Sequence, residues 1–362
     1  METKEKKKMS KGFTGLVNLG NTCFMNAALQ SLAHTGQLNQ FLDTYGEYED
    51  ENGKKKKKFQ DKMKKNPEAL ILVEWDNLRE MMWSENCVIS PGGFLGSLQR
   101  VASIKNKQIF TGFAQNDLPE FLGFLINCFH AALSREVIMN INGIPENATD
   151  ELAVKSFKML KDMYKKEYSE ILTMFFGISI SNIISLKDET YSISPEPYFM
   201  LELPIPKKNK HPSIFDCLDL YTERELLDDD NKYLNEKTKE LENVYKCIKF
   251  WSFPDILIIN LKRFNKHMKK NRILVDFPLE DFDLSKYVVG YNKTSYVYDL
   301  YAICNHSGNV MGGHYTASIK GEGNKWFIFN DTNITEIQNT QELKNEKAYC
   351  FFYRKKKLLN NI

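Results

Sequence analysis

The sequence has no long hydrophobic run. Apolar stretches such as Ile256 to Ile259 fall far short of the roughly 20 residues that span a bilayer, so no membrane association is expected. The N-terminus, METKEKKKMSKGF, carries charge with no apolar segment behind it, which is not the pattern of a secretory signal. There is no CxxC pair. The seven cysteines, Cys23, Cys87, Cys128, Cys217, Cys247, Cys304 and Cys350, are odd in number and widely spread. That argues against a disulfide framework and for a reducing, intracellular setting, cytoplasmic or nuclear. Neither sign of charge dominates: 49 Lys and Arg against 47 Asp and Glu leave +2, which is not the footprint of a nucleic-acid binder. No internal repeat is present.

What is there is material for a large core. Of 362 residues, 42% are hydrophobic, and length alone suggests about two domains. Residues 1–12 read as a disordered basic tail. Asn21 or Thr22 can cap a helix from Cys23 to about Leu32, with Phe24, Ala28 and Leu32 as its buried stripe. Glu47 to Lys65, with lysines from Lys54 to Lys58, reads as an exposed loop or the solvated end of a helix. Asn116 to Ala132 and Asp150 to Phe175 each have helical spacing, and the aromatic stripe of the second reads as core packing. After Gly177 the texture turns to short β-branched and aromatic segments: Ile178 to Ile193, Tyr198 to Leu203, Tyr245 to Phe250, Ile256 to Phe264, Val297 to Asn305, Tyr315 to Ile319, Trp326 to Asn330 and Ala348 to Tyr353. Helices first and strands later point to an α+β fold.

A free cysteine is usually a small buried hydrophobe, and six of the seven read that way. Cys23 differs because it opens a helix, where unpaired amides and the dipole favour a thiolate. A thiolate nucleophile needs a base and an orienter for that base. His314 lies in GGHYTA, and 16 residues later WFIFND ends at Asn330 and Asp331. A strand pair joined by Lys320 to Lys325 brings His314 beside one of these two.

GLVNLGNTCFMNAALQSL (Gly15 to Leu32) resembles the cysteine box of the ubiquitin-specific proteases, the ubiquitin carboxyl-terminal hydrolase family. YDLYAICNHSGNVMGGHYTASI (Tyr298 to Ile319), followed by KWFIFNDTNI (Lys325 to Ile334), resembles their histidine box. AQNDLPEFL (Ala114 to Leu122), ILIINLKRF (Ile256 to Phe264), VDFPLEDFDLSKY (Val275 to Tyr287) and AYCFFY near the end are similar to further family segments, in family order. The resemblance implies a papain-like cysteine proteinase fold spanning residues 13–357, with a helical thumb about 13–172, antiparallel β fingers about 173–255 and a palm about 256–357. It implies a thiol-dependent deubiquitinase that cuts the isopeptide or peptide bond at the C-terminal glycine of ubiquitin through a thioester. By position, Cys23 resembles the nucleophile, His314 the general base and Asn330 the third member. The neighbouring carboxylate Asp331 is able to share or take that role. Asn18 matches the side-chain donor to the oxyanion, and a turn residue is its plainer reading. Gln115, Asp117, His306 and Tyr315 fall on positions near the ubiquitin tail or the active site. Asp117 is equally readable as a helix-start residue.

Many relatives carry zinc on two CxxC pairs in the fingers. The matching positions here are Ser185 and Asp188, then Asn235 and Thr238. None offers a thiolate or imidazole, so no zinc and no cofactor are expected. The expected partners are ubiquitin and ubiquitinated proteins, for a monomer. Two other readings stay open: a catalytically weak ubiquitin-binding module, and a protease for another ubiquitin-like modifier.

Overall fold

The computed structural model describes residues 11–45, 47–49, 55–57, 66–112, 114–207, 209–309 and 312–357. The expected basic tail, apart from Lys11 and Gly12, lies outside the described residues. The fold is α+β, and the chain divides into two units. The first comprises residues 1–132 with 302–343. The second comprises 133–301 with 344–362.

In the first unit the chain turns through Gly20 and Asn21, both at positive φ (98° and 55°), and enters helix Cys23–Ala33. All eleven residues of this helix are buried. It is therefore a central element with no polar face, built from helix-favouring Ala, Leu, Met and Gln. It packs on strands Gly313–Lys320 and Trp326–Asn330. These belong to an antiparallel meander. Residues 302–308 of strand Val297–Gly308 pair with Gly313–Lys320 in the register His306↔Tyr315 and Ser307↔His314. Gly313–Lys320 pairs with Trp326–Asn330, and that strand with Asn333–Ile337. Gly15–Leu16 pairs in parallel with Val88–Ile89. The Cβ of any larger residue at Gly15 would run into the Thr332 backbone, so glycine is required where this strand crosses the end of the meander. Helices Glu68–Ser84 and Gly92–Ile104 pack on each other. Helix Leu118–Leu133 sets Phe121 edge-on to Phe24, 5.4 Å between centroids.

The second unit holds an antiparallel sheet in the order Thr190–Tyr198, Gly177–Ser185, Val244–Ser252, Glu225–Leu227. Strand Ile256–Leu261 is buried along its whole length, as a near-continuous apolar run should be when both faces are covered. It pairs with Met200–Leu203 in parallel and with Ala348–Lys355 antiparallel. Helix Ala148–Tyr164 lays Phe157 against Trp251, so the first aromatic of the stripe is core packing.

Several expectations change. The single helix from Asp150 to Phe175 is two, Ala148–Tyr164 and Glu170–Phe175. Between them Tyr168 exchanges both backbone hydrogen bonds with Arg135, and the Tyr164 carbonyl accepts from Val137. These long-range pairings displace the helical ones. The Glu47–Lys65 segment contains a short hairpin, Glu47–Glu49 with Lys55–Lys57; the rest of it lies outside the described residues. Helices Gly36–Thr44, Glu68–Ser84, Gly92–Ile104 and Ile214–Thr222 are further elements, and the last interrupts the strand-rich half.

The four positions that match the relatives' zinc ligands are occupied by hydrogen-bonded turns. Ser185 Oγ accepts from the amides of Lys187 and Glu189. Asp188 pairs with Arg224 at 2.6 Å. Asn235 Oδ1 accepts from Lys237 N and Thr238 N. Asn235 Nδ2 and Thr238 Oγ1 both donate to one oxygen of Glu242, whose other oxygen accepts from Tyr191 OH.

Candidate active site

Every residue singled out from the sequence for catalysis or substrate contact lies in the first unit. Cys23 is the first residue of its helix and is 3% exposed. Thr22 takes the N-cap position, but its side chain makes no hydrogen bond into the helix. Its hydroxyl accepts from Leu19 N and lies 3.3 Å from Asn18 Oδ1. The expected cap is thus turned back to brace the loop before the helix.

Burial pushes the Cys23 thiol above its ordinary value. The backbone N–H of Tyr315 opposes the rise, the Asp331 carboxylate adds to it, and the N–H groups of Phe24 and Cys23 itself again oppose it. The expected net pull toward thiolate at the helix terminus is therefore outweighed, because desolvation of an anion exceeds what three amides return. Even so, the site differs from three of the other buried cysteines. Burial drives Cys128, Cys217 and Cys304 up to about 12, and at none of these does a backbone amide act on the sulfur.

Tyr315, whose amide meets the Cys23 sulfur, follows His314 on strand Gly313–Lys320. His314 is half-buried, and its Nε2 lies 2.6 Å from Asn330 Oδ1. An amide oxygen only accepts, so Nε2 is the donor, and in the neutral ring Nδ1 keeps the lone pair. Asp331 does not face the imidazole. It is a left-handed residue, φ 50°, and that twist turns its side chain to the segment before the helix. Its Oδ2 accepts from Asn18 Nδ2 at 3.0 Å, and its Oδ1 from Asn26 Nδ2 at 2.8 Å. Of the two candidates for holding His314, the structure puts Asn330 there. Asn18 is gripped at both ends: its Oδ1 also accepts from Gly20 N and Thr22 N, each at 3.1 Å.

The residues matched to substrate contact meet main chain and each other. Gln115 makes a reciprocal pair with Gly313, donating Nε2 to its carbonyl at 2.7 Å and accepting from its amide at 2.9 Å. It copies a strand partner and pins the residue before His314. Asp117, one residue before helix Leu118–Leu133, accepts from Tyr315 OH at 3.0 Å. His306 is 2% exposed and packs against Tyr315, 4.6 Å between ring centroids. A Cβ at Gly313 would collide with the His306 ring, so the second glycine of GGHYTA is what leaves room for His306 beside Tyr315. Sequence reasoning missed Asn26. The signal available was an Asn inside a largely apolar helix, three residues after Cys23.

The profile of the ubiquitin carboxyl-terminal hydrolase family matches residues 14–353. The chain belongs to that family. Its members are papain-like cysteine proteases, in keeping with a cysteine-headed helix packed on a β meander that carries a histidine. Human ubiquitin carboxyl-terminal hydrolase 2 is 33% identical over 96% of this chain, which spans 56% of that relative's length. Chicken ubiquitin carboxyl-terminal hydrolase 2 is 32% identical over 97% of this chain and 96% of its own length. Among solved structures, yeast SAGA DUBm is similar in fold, with a TM-score of 0.67 at 22% identity over 97% of this chain and 70% of that one. So is the SAGA Ubp8 DUB module bound to ubiquitin aldehyde, with the same score and identity over 98% and 72%.

Proposed function

We propose that this ubiquitin carboxyl-terminal hydrolase family member is a thiol-dependent deubiquitinase. Its substrate is the isopeptide or peptide bond at the C-terminal glycine of ubiquitin. The observation that carries this reading is the convergence of Cys23, at a helix N-terminus, with the strand of His314, whose imidazole is bonded to Asn330. Because the Cys23 thiol is raised, its proton leaves during attack. His314 Nδ1 takes it as sulfur bonds to the carbonyl carbon. The tetrahedral oxyanion is met by the Cys23 amide and by Asn18 Nδ2, which gives one hydrogen to Asp331 and has a second for this purpose. His314 then returns the proton to the leaving amine as the C–N bond breaks. Water, deprotonated by the same imidazole, hydrolyses the thioester. Asn330 orients the ring without supplying charge. Through Gln115, Asp117 and His306, the segment Gly313–Tyr315 is held at the mouth of the site, where an extended diglycine tail can lie. The partners are ubiquitin and its conjugates, acted on by a monomer in the cytoplasm or nucleus.

The test is a panel of ubiquitin and ubiquitin-like proteins carrying a fluorogenic amide at the C-terminus, run with wild type and Cys23→Ala. Turnover of ubiquitin, lost in the variant, is expected. Binding without turnover, or turnover of another modifier alone, would overturn the reading.

A further inference from the structure

We propose that Asn26 is a positioning residue for the oxyanion donor, anchoring Asp331 so that Asp331 in turn holds Asn18. The proposal rests on the deubiquitinase reading for the reaction it serves, though not for the geometry. Asn26 lies one helical turn after Cys23 and is 2% exposed. Its Nδ2 donates to Asp331 Oδ1 at 2.8 Å and lies 3.3 and 3.4 Å from the carbonyls of Leu16 and Val17. All three neighbours are acceptors, so the amide orientation follows from them.

One hydrogen of the NH2 goes to the carboxylate and the other is shared between two carbonyls of the chain that leads into Asn18. Asn26 Oδ1 is then left with no hydrogen-bond partner among the described residues. A buried, unsatisfied acceptor is costly. A residue there only to fill space would be better apolar, and one there only to tie down Leu16 and Val17 would not direct its shortest bond at a carboxylate. What Asn26 adds is a fixed direction for Asp331. With Oδ1 engaged, Oδ2 meets Asn18 Nδ2 at 3.0 Å. The backbone agrees, since the Asp331 carbonyl accepts from Leu16 N at 2.9 Å. The same anchor keeps Asp331 away from His314 and leaves the imidazole to Asn330.

A double-mutant cycle on the full chain tests this, with ubiquitin bearing a C-terminal fluorogenic amide as substrate. Asn26→Ala is expected to lower kcat by about tenfold or more, the loss expected of a displaced oxyanion donor, with KM within about threefold of wild type. In an Asn18→Ala background the same substitution should cost less than about twofold, because the two act as one unit. Asn26→Asp, which sets a second carboxylate against Asp331, should be worse than Asn26→Ala. Full additivity, an unchanged kcat, or a loss carried by KM alone would overturn the proposal. Melting curves check folding, and if Asn26→Ala does not fold, Asn26→Ser takes its place in the cycle. A second readout needs no turnover. The Asn18 side-chain amide pair in the 15N spectrum, identified by its disappearance in Asn18→Ala, should shift in Asn26→Ala. Unmoved Asn18 signals would overturn the proposal even if wild type proved inactive on ubiquitin, an outcome that would sink the deubiquitinase reading alone.

Discussion

The polar side chains around Cys23 and those that cap the turns at Ser185 and Asn235 are organised on different plans. Around Cys23 the hydrogen bonds join residues remote in sequence: Asn18 and Asp331 are 313 positions apart, Asn26 and Asp331 305, and Gln115 and Gly313 198. In the turns of the second unit the capping bonds are short-range, 4 positions for Thr238 to Glu242 and 7 for Asn235 to Glu242, and longer links such as Tyr191 to Glu242, 51 positions apart, are added to them. A local turn needs little loop closure before its bonds form, whereas the site exists only after long segments have been brought together. The folded core of the first unit bears that entropic cost, and Asn18 and Asn330, the exposed members of the site, add little to stability. Substitutions at the site should therefore change rate and spare stability, and substitutions in the turns should do the reverse.

The largest expected effect is that of Cys23→Ala. Turnover should fall by about 10⁴-fold or more, with a melting midpoint close to that of wild type. A variant that unfolds instead would break the contrast. Asn18→Ala should cost roughly a hundred- to a thousandfold in kcat, read in steady-state kinetics with folding checked by circular dichroism. Asn330→Ala frees the imidazole to rotate and should cost up to about a hundredfold, and Asn330→Asp should recover part of it.

Asp331→Asn sharpens the contrast, because it should move two rates in opposite directions. The Asp331 charge is one of the causes that raise the Cys23 thiol. In wild type, alkylation of Cys23 by iodoacetamide should keep rising above the ordinary thiol range, about pH 8.5. Without that charge the profile shifts to lower pH and alkylation quickens at neutral pH, while turnover drops as Asn18 loses its hold. Equal slowing of both would mean that Asp331 acts on neither by the route described. The smallest effect is expected in the second unit. Asn235→Ala removes a nearly buried side chain, 9% exposed, that caps its turn, and should cost about 1 kcal/mol in denaturant unfolding with kcat unchanged. Excess chelator should leave the wild-type melting curve where it was.

Much of this was legible from patterns that are local. The Cys23 helix could be read because Phe24, Ala28 and Leu32 recur every four residues, and Trp326–Asn330 because its bulky residues end at a polar pair. The helix expected from Asp150 to Phe175 was misjudged for the converse reason: Tyr168 sits at helical spacing, but its backbone is claimed by Arg135, a partner that no local window contains. Asn26 was passed over because an Asn in an apolar stretch looks like an interruption until the carboxylate opposite it is known. Thr22 looked like a helix cap, and only the packed loop shows its hydroxyl bracing Asn18 and Leu19.

Residue types and their order were enough to mark a thiol at a helix start, a histidine between glycines and strands, and an Asn-Asp pair beyond it, because these depend on short-range periodicity and turn chemistry. They could not assign the pair. Asn330 goes to the imidazole and Asp331 to the amides of Asn18 and Asn26 because Asp331 adopts a left-handed backbone at the meander's edge, where the strand of Leu16 crosses it. Nor could they weigh the thiol, whose proton affinity is a contest between burial and a few oriented amides. Both outcomes are differences between opposing terms, set by distances that exist only in the folded chain.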